Sequence, residues 1–105
     1  MHAIFVLIDT SVDHDELMPA LTEYGTALKT FDGLIMKTWI SQSEGTFGGF
    51  CVFRDSDSAN RYINDMLRPT EEAHPALSNL RIQHFEVLQE LSALNGFPIP
   101  ALEHL

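Results

Sequence analysis

The sequence predicts an α+β fold of ferredoxin-like type, with the order β-α-β-β-α-β and an antiparallel sheet. Three observations carry that expectation. Runs of strand length and strand composition stand at residues 3–8, 34–41, 46–54 and 80–88. Apolar stripes of helical period separate the first run from the second and the third from the fourth. The link between the middle two runs, Ser43-Glu44-Gly45, is too short for anything but an antiparallel hairpin. This is the split βαβ arrangement.

The first run, Ala3-Ile4-Phe5-Val6-Leu7-Ile8, is apolar on both alternating sets, so the strand is expected to be covered on both sides. Leu17, Leu21, Tyr24, Leu28 and Phe31 then recur at steps of four and three, which makes one stripe of a helix. Asp13 or Asp15 can cap its start, Pro19 is tolerated near the first turn, and Gly33 is a natural stop. In the second strand Leu34, Met36, Thr38 and Ile40 form one set, and Ile35, Lys37, Trp39 and Ser41 the other. The pair Gly48-Gly49 weakens the third strand unless a close contact needs the room. Asp55, Ser56 or Asp57 can cap a second helix whose buried stripe is Ala59, Tyr62, Ile63 and Met66 and whose end is marked by Pro69. Residues 70–78 read as a loop, followed by the fourth strand, a short helix around 90–94 and an irregular tail over 95–105.

The chain has 105 residues, enough for one domain, 1–105. Two helices cover only one face of a four-stranded sheet, yet the first and third strands are apolar on both. A second copy placed against the free face by a two-fold axis is the simplest cover, so a homodimer enclosing an apolar cavity is expected. The net charge of −9, with six scattered basic residues, disfavours nucleic acid and anionic membranes as partners. Cys51 is the only cysteine and stands in an apolar run, which suits a small buried hydrophobe. The opening apolar run is too short to span a bilayer, and the cytoplasm is the expected location.

Several short runs resemble the YdhR-type monooxygenases: Asp15-Glu16-Leu17-Met18-Pro19, Lys37-Thr38-Trp39, Gly48-Gly49-Phe50-Cys51-Val52-Phe53, Ser58-Ala59 with Tyr62, and Phe85-Glu86-Val87 with Leu91-Ser92. The resemblance implies a dimeric α+β barrel, in which two sheets pack face to face around a central cavity. Its wider superfamily includes enzymes that oxidise polycyclic phenols without flavin or metal. It also includes haem-degrading enzymes, isomerases and proteins with no proven catalysis, so the fold alone does not fix the reaction. The haem-degrading relatives place an axial histidine on the second helix, and residues 57–67 contain none.

The five histidines show no metal-ligand spacing, and no dinucleotide fingerprint, P-loop or nucleophile elbow is present, so no cofactor is expected. Lys37, Trp39 and Ser41 share a strand face, and a lysine is costly in a closed core, which makes that face the expected cavity side. Trp39 is placed to stack on a flat ligand and to donate its indole N–H. His84 is the candidate general base if it faces the cavity, because imidazoles ordinarily titrate near neutral pH. Arg81 is a candidate partner for an anionic substituent. These residues suit a cofactor-independent monooxygenase acting on an aromatic or quinol-like compound; the rival class is a non-catalytic binder of a small apolar metabolite.

Overall fold

The computed structural model of the protein describes residues 1–96, so the tail expected to be irregular lies, beyond Gly96, outside the described residues. Strands β1 (His2–Thr10), β2 (Leu34–Ser43), β3 (Thr46–Phe53) and β4 (Leu77–Glu86) form one antiparallel sheet in the order β2-β3-β1-β4. Helix α1 (His14–Leu28) follows β1. Helix α2 (Ser56–Tyr62), a π-helical turn (Ile63–Leu67) and helix α3 (Arg68–Ala73) run on from one another before β4, and α4 (Gln89–Leu94) follows it. This is the ferredoxin-like arrangement expected from the patterning.

The core lies between the sheet and its helices. Ile4 and Val6 of β1 and Cys51 and Phe53 of β3 meet Leu28 of α1, Ala59 and Tyr62 of α2, and Ile63 and Leu67 of the π turn. A smaller cluster of Ile8, Leu17 and Phe47 closes the other end of the same face. The α1 stripe therefore points inward as its period requires, although the helix stops at Leu28 and Phe31 reaches the core from the following turn. On the opposite face, Ala3 and Val52 are fully buried, and Phe5, Leu7 and Phe50 are half-buried. Both faces of β1 are thus apolar surfaces, as its sequence demands.

Three local expectations are corrected. Pro69 does not end the second helical segment, and residues 70–73 are helical rather than loop. In a regular α-helix its ring would meet the carbonyl of Asp65; the preceding π turn, where the Arg68 N–H bonds back to Ile63, widens the coil just there. Pro19 sits well inside α1, whose first residue is His14, rather than near its first turn. Leu34 does not share a face with Met36: an irregularity between them leaves Leu34 opposite Phe53 and Met36 opposite Val52, which turns Leu34 toward the helices. Among the described residues no helix is long and apolar enough to cross a membrane.

Candidate functional site

Lys37 and Trp39 leave β2 on the helix side of the sheet, because their register partners Cys51 and Gly49 face that side. Glycine provides the space they occupy. A Cβ on Gly49 would lie 2.9 Å from Lys37 Cε, and one on Gly25 of α1 would lie 3.5 Å from the Trp39 ring. Beside them opens a cavity of about 350 Å³ between the sheet and the helices, with walls that include Val6, Leu21, Phe47 and Met66. That size suits a small-molecule site.

Three polar groups of the cavity form one connected set. Tyr24 Oη donates to Tyr62 Oη at 2.8 Å, and Lys37 Nζ donates to the same oxygen at 3.4 Å. Lys37 Nζ stands 3.9 Å from the centre of the Trp39 ring and 5.2 Å from that of Tyr24. Among the described residues no carboxylate pairs with Lys37. Burial therefore pulls the Lys37 ammonium below the usual lysine range. Burial also pushes Tyr24 up to about 12 and Tyr62 higher still, so both phenols stay protonated and remain donors at neutral pH. The Cys51 thiol beneath Lys37 is raised by the same burial and stays neutral. The site is a desolvated amine among three aromatic rings, with a two-phenol hydrogen-bonded chain behind it.

The structure brings together only part of the residue set expected from sequence. Lys37 and Trp39 meet in this cavity, which lies between sheet and helices of one chain and not behind the sheet. His84 is corrected: it shares the helix-side face with Ile4 and Ile82 but stands on an edge strand, exposed, with its Nδ1 2.8 Å from His2 Nε2. It does not line the cavity and is no base for a ligand there. Arg81 stands on the other face of the sheet, its guanidinium held by Asp9 Oδ1 at 3.1 Å and by the Asn79 carbonyl at 2.9 Å, and does not line this cavity. Ser41 lies toward the hairpin end, exposed, with its hydroxyl on the Ser43 carbonyl. Tyr24 and Tyr62 had the signal of core stripe residues and are that, with hydroxyls that also reach the cavity. Glu71 and His74, on the segment expected to be loop, line the cavity as well. Among the described residues no group of three or more His, Cys, Asp or Glu side chains converges as a metal site would need.

The Arg81 contact has its own consequence. Hydrogen bonds from Arg81, Asn79 and Thr46 hold the Asp9 carboxyl at about 2. A depressed carboxyl contributes stability that is present above its ordinary 3.8 and is lost as pH falls from there toward 2. Asp9→Asn is therefore expected to flatten the acid limb of the stability profile relative to the parent, as read by chemical denaturation at a series of pH values. Parallel acid limbs would show that the network carries no linkage.

On the opposite face a hollow of about 560 Å³ is lined by Phe5, Phe50, Val52, Phe85 and Leu88, with few polar groups. The connected set of Lys37, Tyr24 and Tyr62 is on the helix side.

A sequence-family model described as "Putative mono-oxygenase ydhR" matches residues 6–98. No curated protein matches the chain. Among solved structures the chain is similar to the NE2512 protein of unknown function from Nitrosomonas europaea, at 23% identity and a TM-score of 0.63, covering 83% of this chain and 88% of that one. It is similar to SnoaB from Streptomyces nogalater, described as a cofactor-independent oxygenase, at 17% identity and a TM-score of 0.64, covering 82% and 92% of the two chains. A third similar structure, from Deinococcus radiodurans, is described as a "putative antibiotic biosynthesis monooxygenase", at 15% identity and a TM-score of 0.66, covering 83% and 92%. At these identities the structures share the fold.

Proposed function

The chain belongs to the ydhR mono-oxygenase family, and from that membership we propose that it is a cofactor-independent monooxygenase that oxidises a small phenolic or quinol-like aromatic in the helix-side cavity. The observation that carries the reading is the convergence of Lys37, Trp39, Tyr24 and Tyr62 on one apolar pocket. The family's description and the fold shared with an oxygenase that works without a cofactor support the reaction class.

Each group has a task that its environment suits. Trp39 stacks on the flat ring. Lys37, whose charged form is disfavoured by burial, takes the phenolic proton and becomes the ammonium partner of the resulting aryloxide. That anion is electron-rich enough to reduce oxygen directly. For 1-naphthol the balance is one naphthol and one O₂ giving one 1,4-naphthoquinone and one water: a C–O bond forms at the ring carbon, the O–O bond breaks, and the second oxygen leaves with two hydrogens. The phenol of Tyr62, whose oxygen accepts from Tyr24, donates a hydrogen bond to the oxygen anions formed on the way.

The assembly proposed with this activity is a homodimer. The second sheet face carries Phe5, Leu7, Phe50 and the exposed Phe85, more apolar surface than a stable monomer leaves wet. Light scattering at micromolar concentration is expected to give twice the chain mass, and a clean monomer would remove the dimer from the account.

The function is tested by calorimetric titration with 1-naphthol and by oxygen uptake on the same samples. One site per chain and one O₂ consumed per naphthol are expected. Trp39→Phe should keep the stacking and lose the indole donor, weakening binding by about 0.5–1.5 kcal/mol. Binding without oxygen uptake would overturn the oxygenase and leave a metabolite-binding protein.

A further inference from the structure

We infer that Lys37 is also a nucleophile, and that the helix-side cavity captures small aromatic aldehydes and ketones as a reversible Schiff base on its Nζ. The inference rests on the geometry of the cavity and not on oxygenation. An amine forms an imine when three conditions meet: a free lone pair, a nearby hydrogen-bond donor for the carbonyl oxygen, and little water.

The cavity supplies each condition. Among the described residues Lys37 Nζ has one hydrogen bond, the 3.4 Å contact to Tyr62, and it also faces aromatic rings and the cavity. With no paired carboxylate among the described residues, burial outweighs the rings, the Tyr62 oxygen and Cys51, which favour the charged form. Tyr62 Oη accepts from both Tyr24 and Lys37, which leaves its own O–H to donate into the cavity. A carbonyl held against Tyr62 is thereby placed beside the amine. The walls are mostly apolar, which suits an aromatic group on the carbonyl carbon.

The step balances without a co-reactant. The Nζ lone pair forms the N–C bond, the carbonyl π pair moves to oxygen, and a proton passes from nitrogen to that oxygen along the Tyr62 hydroxyl. The carbinolamine then loses water, giving one imine and one water from one amine and one carbonyl.

Only Lys29 and Lys37 carry side-chain amines in this chain, which makes the test clean. The native protein is treated at neutral pH with benzaldehyde and cyanoborohydride, and the benzylated residues are mapped by mass spectrometry. The amine of Met1 is counted separately, because an α-amine is ordinarily acidic enough to react. Lys37 is expected to be labelled faster than the exposed Lys29, since it stands beside the Tyr62 donor and burial raises its neutral fraction. In urea the two lysines should react equally. Tyr62→Phe should slow the labelling of Lys37 and leave that of Lys29 unchanged.

The pH dependence reads the same site. The groups facing Lys37 are Tyr24 of α1, Tyr62 of α2 and Cys51 of β3, with Glu23, Glu71 and His74 also on the cavity wall. The Lys37 rate should level off at lower pH than the Lys29 rate. Equal labelling of the two lysines in the native protein, or a protected Lys37, overturns the proposal. Labelling of Lys37 in a protein that takes up no oxygen with 1-naphthol overturns the oxygenase and leaves this inference standing; uptake of oxygen with an unlabelled Lys37 does the reverse.

Discussion

Gly48→Ala is expected to cost more than about 3 kcal/mol and to leave little folded protein at room temperature. A Cβ at this position would sit 1.7 Å from the Val6 carbonyl oxygen and 2.7 Å from its carbon. Both are backbone atoms of β1, the neighbouring strand in the middle of the sheet. No rotamer change can relieve the clash, so the strands would have to part where Gly48 lies opposite Leu7 on one side and Ile40 on the other. Gly49→Ala meets a softer obstacle, since its nearest atom is the flexible Lys37 Cε at 2.9 Å, although the Thr38 carbonyl follows at 3.1 Å. It should cost about 1 kcal/mol and displace Lys37 from the cavity. Urea unfolding of the two variants side by side checks the order, and equal costs would contradict the packing described for β1 and β3.

Lys37→Met is expected to pull function and stability in opposite directions. Methionine keeps the length and flexibility of the side chain and removes the amine. If Lys37 is the base, oxidation of 1-naphthol should fall by about 10²-fold or more. The fold, by contrast, no longer has to bury an unpaired amine. Part of that gain is cancelled by the lost contact between Lys37 Nζ and the Trp39 ring, so a net stabilisation of about 1 kcal/mol is expected. In a domain of this size that raises Tm by about 4–8 °C. The sign with pH is fixed. Because the native pKa is depressed, the Lys37 contribution is fully present above the ordinary lysine value and is lost as pH falls through the native one. The gain from Lys37→Met should therefore be largest at neutral pH and shrink toward alkaline pH. A variant less stable than the parent at every pH would show that Lys37 is a packing residue.

The strands and the helical stripes were legible because their periods are strong. Ile4, Val6 and Ile8 alternate with Ala3, Phe5 and Leu7, and the α1 stripe from Leu17 to Leu28 recurs without a break. Alternation tells which residues share a face, but when both faces are apolar it does not tell which one meets the helices. That ambiguity put Lys37 and Trp39 on the free face when they stand on the helix side, while their grouping on one face was sound. Pro69 misled because its usual effect is to end a helix, and a π turn has no plain sequence signature. The misplaced boundary in turn hid Glu71 and His74 from view as cavity residues. His84 and Arg81 were attractive by chemistry alone. Their partners, His2 and Asp9, are supplied by strand pairing between distant parts of the chain, which no local pattern reports. Gly48-Gly49 was the most informative short signal: one glycine admits the neighbouring backbone, and the other makes room for Lys37.

The proposed reaction transfers oxygen to a phenolic ring in the cavity around Lys37 and Trp39. The most direct measurement is the conversion of 1-naphthol under ¹⁸O₂ by the chelator-treated protein, with the quinone analysed by mass spectrometry and Lys37→Met run in parallel. The account predicts one ¹⁸O atom per quinone, a rate well above the spontaneous one, and a variant that falls back toward it. Quinone formed at the spontaneous rate, or at equal rates by the parent and Lys37→Met, would contradict it.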